Sequence, residues 1–258
     1  AVTLDLQEGG TYTFDVSDSS VSSHPFVIGT SANSNEYSTG VVYKLDGVTK
    51  TYSQYTSGFS AATTRQLIIT VAASAPTLYY WCSVHSGMGG QINTNTLFGS
   101  TNFDGSILSV VSANTTAGFS IVKYTGTGSN ATIGHGLGAT PNVFFVKIRS
   151  GAGDWTSYHS TLGNTKYLRL NSNIQAGTQS TYWQDTDPTS TVFSVGTAGD
   201  VNTSSGTHVA YCFSSIKGYS SFGSYQGNGS SEGPYIYTGF KPAWVMIKRT
   251  NGTNSWVI

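Results

Sequence analysis

Apolar residues in this chain come in short bursts, and polar turn residues separate them. YTFDV (12–16), HPFVIG (24–29), GVVYKL (40–45), RQLIITV (65–71) and TLYYWC (77–82) are β-branched or aromatic runs bounded by Gly, Ser, Asn and Pro. The same texture returns in FSIVKY (119–124), NVFFVKI (142–148), KYLRL (166–170), TVFSVG (191–196), HVAYCF (208–213) and AWVMIK (243–248). Such runs read as strands. No long stretch repeats apolar residues at i, i+3, i+4 and i+7, so long amphipathic helices are not expected. Many short strands with turns between them predict an all-β protein built from sandwiches or barrels.

The pattern also predicts domain limits. NTNTLFGSTNFDGS (93–106) and SANTTAG (112–118) are rich in turn residues and flank one short apolar piece, SILSVV (106–111). We expect a first domain over 1–95, a linker over 96–117 that docks rather than floats, and a second domain over 118–258. The second domain holds an internal repeat. GFSIVKYTGTGS from Gly118 is echoed by GYSSFGSYQGNGS from Gly218, PNVFFVK from Pro141 by PAWVMIK from Pro242, and Trp155 by Trp256. Repeats mean that one unit is used twice. On that basis the chain stops inside a second unit and the natural product is expected to run past 258; otherwise the second copy is a closing half-unit.

Composition narrows the function. Charged residues are 9% of the 258, and 12 basic residues balance 12 acidic ones. An average soluble domain carries roughly 25%. With no basic stripe to follow a phosphate backbone, a nucleic-acid partner is not expected. No apolar run approaches the roughly 20 residues of a membrane span, and AVTLDLQEGG is not a signal peptide. The two cysteines, Cys82 and Cys212, fall in different predicted domains, which argues against a disulfide. Cys212, inside an apolar run, reads as a small core residue.

Cys82 needs another account. YYWCSVHSGMGG (79–90) spaces Cys82, His85 and Met88 three residues apart. A thiolate, an imidazole and a thioether form a soft donor set that suits copper. A trigonal two-His, one-Cys site with a weak axial Met lacks one His here, and His24 in SSHPFVI is the candidate. His135, His159 and His208 have no ligand spacing and read as structural.

With these residues in view, 1–95 resembles the cupredoxins. There one His comes from an early strand, and the last strands carry a Cys–His–Met loop. The C-x2-H-x2-M spacing matches the short, amicyanin-type loop. The resemblance implies a Greek-key β-sandwich and copper ligation by His24, Cys82, His85 and Met88. One departure is HPF, which stands where the family more often has His-Asn, an Asn that ties the two ligand loops together. The alternatives are a similar fold that kept these letters without binding, or a site for zinc, which takes Cys and His but seldom Met.

The second half resembles repeated lectin-like β domains of tail-fibre-like proteins in marine tailed bacteriophages. IGHGLGATPNVFFVK (133–147) and YTGFKPAWVMIKRT (237–250) carry most of that resemblance. It implies a jelly-roll or concanavalin-like sandwich and no established catalytic motif. Asp154, Asp185, Asp187, Asp200 and Glu232 form no pair suited to glycoside hydrolysis, and no G-x-S-x-G elbow occurs, so an enzyme is not expected. The reading is a structural virion-surface protein, a capsid decoration or tail fibre. Its expected partners are other virion proteins, further copies of itself, and a host-surface glycan. The alternatives are a secreted or periplasmic copper protein that transfers electrons, and a carbohydrate-binding adhesin.

Overall fold

The computed structural model describes residues 2–94 and 99–258. The chain forms two compact units, Ala1–Thr101 and Asn102–Ile258. It is all-β, with several sheets of the sandwich class.

The first unit contains β1 (Leu4–Asp5), β2 (Thr11–Asp15), β3 (Phe26–Ser31), β4 (Ser34–Glu36), β5 (Val41–Leu45), β6 (Val48–Lys50), β7 (Arg65–Thr70), β8 (Leu78–Cys82) and β9 (Gly89–Asn93). One sheet runs β1-β9-β8-β3-β4 and the other β2-β7-β5-β6. Both contribute to a shared core: Val27, Ile28, Leu78 and Ile92 from the first, and the alternate residues Tyr43, Leu45, Leu67 and Ile69 from β5 and β7 of the second. Period-two alternation is what a strand with one covered face requires.

One helix was not expected from the apolar pattern: α1 (Tyr52–Gly58). It is too short for a periodic signal. Its signature is the capping box Thr51-Tyr52-Ser53-Gln54. The Thr51 hydroxyl accepts from the Gln54 amide, and the Gln54 side chain accepts from the Thr51 amide. Tyr55 anchors the helix in the core.

β10 (Ser100–Asn102) lies where the units meet in sequence. The second unit contains β11 (Ser109–Asn114), β12 (Phe119–Thr125), β13 (Ala131–Gly134), β14 (Val143–Ile148), β15 (Thr156–His159), β16 (Lys166–Arg169), β17 (Gly177–Thr178), β18 (Val192–Val195) and β19 (Thr207–Phe213), with α2 (Ser180–Trp183) and α3 (Gly199–Asn202). A large antiparallel sheet follows the order β11-β12-β19-β14-β15-β16-β17. The β13–β18 ribbon and the two short helices supply Ile133, Phe193, Val195, Trp183 and Val201 to the core over that sheet.

Two expectations are corrected. The expected linker contains a strand of the second unit's sheet. Residues 109–114 form β11, whose six residues pair with β12, because Ser109, Val111 and their neighbours alternate buried and half-buried as a sheet strand must. The expected limit at 95/96 falls on residues 95–98, which lie outside the described residues. Nor is the second unit's sheet built from both repeat copies. The first copy yields β12 to β14. The second, 218–258, yields no strand at all, only isolated bridges such as Ile247 with Val257. A strand needs a neighbouring backbone along its length: β14 lies between β15 and β19, and in residues 243–248 only Ile247 has one, at Val257. The copies still share turn geometry, since Gly128 and Gly229 have φ of 73° and 72°.

Candidate metal centre

β3 and β8 are antiparallel neighbours in the first unit, with Phe26 opposite Cys82. That register brings the start of β3 beside the end of β8. His24 sits two residues before Phe26, and the loop 83–88 leaves from Cys82. A residue 58 positions away in sequence thus lands beside the thiol.

Cys82 Sγ lies 3.7 Å from His24 Nδ1 and 3.5 Å from His85 Nδ1. The three donor atoms all lie within 4.8 Å of one another. The two imidazole rings are 4.6 Å apart. These separations suit ligands of one ion. With metal–sulfur near ~2.3 Å and metal–nitrogen near ~2.0–2.1 Å, an angle of roughly 110–120° sets sulfur and nitrogen about 3.6–3.8 Å apart. Cys82 is buried, His24 half-buried and His85 exposed, so the site lies at the surface with its sulfur inside. Met88 lines the same cleft of about 350 Å³ as His24 and Cys82, together with Val16, Val21, Phe26 and Tyr80. Its side chain is 45% exposed. The donor set, two imidazole nitrogens, a thiolate and a nearby thioether, fits copper and also admits zinc.

The loop's shape follows from its backbone. The Cys82 amide donates to the Met88 carbonyl at 2.9 Å, closing 82–88 into a ring of chain. Gly87 turns it with φ of 76°. Gly89 then lets β9 return against β8: a Cβ there would strike the Tyr80 carbonyl oxygen and the Trp81 backbone. Main chain ties the two loops together. The Ser83 amide donates to the Pro25 carbonyl at 3.0 Å, and Pro25 is itself buried.

Sequence reasoning missed Arg65. It is 5% exposed, and five carbonyls converge on it. Nε donates to Phe59 at 2.9 Å and Ala62 at 3.1 Å, while a terminal nitrogen donates to Val16, Ser17 and Asp18 at 3.2–3.3 Å. The guanidinium also lies 5.2 Å from the Phe59 ring centroid. Residues 16–18 lead through the short 3-10 turn Ser19–Val21 to His24, so Arg65 anchors the approach to the first imidazole. A signal did exist. Arg65 is in phase with Leu67, Ile69 and Val71, all buried, so period two placed it inward.

The other candidates resolve otherwise. His135 is fully buried; its Nδ1 accepts from the Leu137 amide and its Nε2 faces the Thr189 carbonyl. His208 is buried against Tyr124, ring to ring at 5.0 Å. His159 meets the Thr161 hydroxyl at 3.0 Å. Cys212 is fully buried on β19, and burial pushes its thiol up to about 12, which keeps it protonated and inert. Both cysteines are free. Asp154 and Asp200 do converge in the second unit, but on Arg169, at 2.9 and 3.8 Å.

The molecule is therefore a two-unit all-β protein whose first unit carries a two-His, one-Cys cluster. Residues 46–258 match the family described as a domain of unknown function, DUF7483, and the chain belongs to that family. The match includes Cys82, His85 and Met88 and begins after His24. Among curated proteins, none matches this chain.

Proposed function

We propose that the protein is a structural component of a virion surface, of the tailed-bacteriophage kind, and that its first unit holds copper as a clamp. His24 and His85 would supply the imidazoles, Cys82 the thiolate and Met88 the weak axial sulfur. The observation that carries the metal reading is the convergence within 4.8 Å of three donor atoms, from His24 just before β3, from Cys82 at the end of β8 and from His85 in the loop after it. The strand placement of the ligands supports the cupredoxin likeness. Bound copper would supply a strong, reversible link between two loops, and metal that binds only the folded state stabilises it. The surface reading is supported by the low charge, the all-β units and the likeness of the second half to phage fibre domains. Further copies of the chain and other virion proteins are the expected partners.

Metal-free protein titrated with Cu(II) should bind one ion per chain and develop intense thiolate-to-copper colour. Cys82→Ser should abolish the colour. Binding of no ion, or equal colour in the variant, sinks the metal reading. Mass spectrometry of purified particles should find the chain in many copies, and a periplasmic fraction without particles should not contain it. Electron transfer is the second reading, favoured by the exposure of His85 at the rim of the site. It requires that the bound copper cycle reversibly between Cu(I) and Cu(II) with an added redox partner.

A further inference from the structure

The cleft beside the donor cluster is larger than its ligands need. It measures about 350 Å³ and opens against His24 and Cys82, with Val16, Val21, Phe26, Tyr80 and Met88 among its lining. Small-molecule pockets span about 300–1,000 Å³. Its walls are preformed. The Phe26 and Tyr80 rings stack at 5.5 Å, and Phe14 backs Phe26 at 5.0 Å. The Tyr80 hydroxyl is committed to the Val2 carbonyl at 2.8 Å. Arg65 holds the carbonyls of residues 16–18, which lead into the turn that carries Val21. On the loop side Gly87 adds no side chain, and a Cβ there would meet nothing within 4 Å. No Lys, Arg, Asp or Glu lines the space. Met88 is the loosest of the four donors' side chains in this wall: it is 45% exposed where Cys82 is 7% exposed. A thioether is a weak axial ligand on a flexible stem.

We propose that the fourth position of this centre is exchangeable: a small uncharged nitrogen donor with an apolar body enters the cleft and takes the place of the Met88 sulfur. The inference rests on the metal reading above and adds an outside ligand to it. Closed sites use four protein ligands, whereas sites that accept an outside ligand offer three and an opening. His24, Cys82 and His85 are the three, and the cleft is the opening. His85 does not line the cleft, so entry there leaves both imidazoles in place. The walls set the class of ligand. A multiply charged anion would lose its hydration with nothing to pair with. An aromatic body would bury carbon against Val21 and Phe26.

The test adds phenylimidazole to the full chain loaded with Cu(II), and follows the thiolate-to-copper band. Imidazole and phosphate serve as comparisons. The band should shift saturably while one ion per chain is retained, with phenylimidazole binding about tenfold tighter than imidazole. Phosphate should leave the band unmoved. Val21→Trp fills the cleft and should weaken phenylimidazole by about tenfold or more, as a built-in clash does. Met88→Ala keeps the main-chain bond from the Cys82 amide and should tighten uptake severalfold, because the sulfur no longer competes. Retention of one ion per chain and an unchanged circular dichroism spectrum would show both variants folded. A chain that binds no copper sinks the metal reading and this inference with it. One ion per chain with a band that phenylimidazole leaves unmoved overturns this inference alone. Uptake indifferent to both substitutions, or loss of the copper to the ligand, overturns it as well.

Discussion

Arg65 and the candidate metal ligands are coupled through main chain. A buried guanidinium is tolerated here because five carbonyl oxygens take the place of water. Removing it leaves those carbonyls unpaired in a dry place. Arg65→Met keeps much of the aliphatic volume and deletes every donor. It should destabilise the first unit by at least ~3 kcal/mol in urea unfolding, since bonds to charged groups are each worth roughly 1.5–3 kcal/mol. It should also weaken copper binding at temperatures where the unit is still folded, because residues 16–18 lead to His24. A variant with wild-type stability would show that the carbonyls find water instead.

At the scale of elements, the site is the open end of the β3–β8–β9 group. β3 brings His24 by its register against β8, and the β8–β9 hairpin carries the other three candidates. The hairpin depends on close approach at Gly89. Gly89→Ala puts a methyl against the Tyr80 carbonyl and the Trp81 backbone, neither of which can swing aside as a side chain would. We expect a loss of about 1–3 kcal/mol, the usual cost of overpacking, accompanied by weaker copper affinity as the loop is pushed off Cys82. Unchanged affinity would mean that the loop's shape is set elsewhere. The helix α1 shows the limit of periodic patterns at this scale. Seven residues hold two turns, too few for a stripe, and only the Thr51–Gln54 box announces it.

The whole molecule has two cores, and they should respond differently to conditions. The second contains His135 and His208, both buried, and burial holds the pKa of each below the usual 6.5. As pH falls, the unfolded chain takes up protons on these rings before the folded chain does. Their contribution is therefore complete above about pH 6.5 and is lost as pH drops toward the folded values. The loss runs at up to ~1.4 kcal/mol per pH unit for each ring. The thermal unfolding of the second unit, followed by Trp183 fluorescence, should shift down between pH 7.5 and pH 5. A midpoint constant over that range would count against neutral buried imidazoles. Copper should raise only the transition reported by Trp81 in the first unit, by about 2.7 kcal/mol at a hundredfold excess over the dissociation constant.

Strand content and strand positions were legible in the chain because alternation and β-branched runs are local properties. Ten of the eleven apolar runs quoted at the outset overlap strands at or within two residues of their expected places. The spacing of Cys82, His85 and Met88 was likewise local, since one loop holds all three. Only the tertiary structure decided the rest. His24 reaches Cys82 through the register of β3 on β8, which is a pairing of distant segments. The main-chain bond from Ser83 to Pro25 ties the two loops, and main chain leaves no mark in a sequence. Arg65 was inward by phase, but its carbonyl partners came from two separate segments, 16–18 and 59–62. The run 243–248 has a strand's letters and no strand's neighbours: a β-strand is made by the backbone beside it, and that is a fact about the fold rather than about the residues.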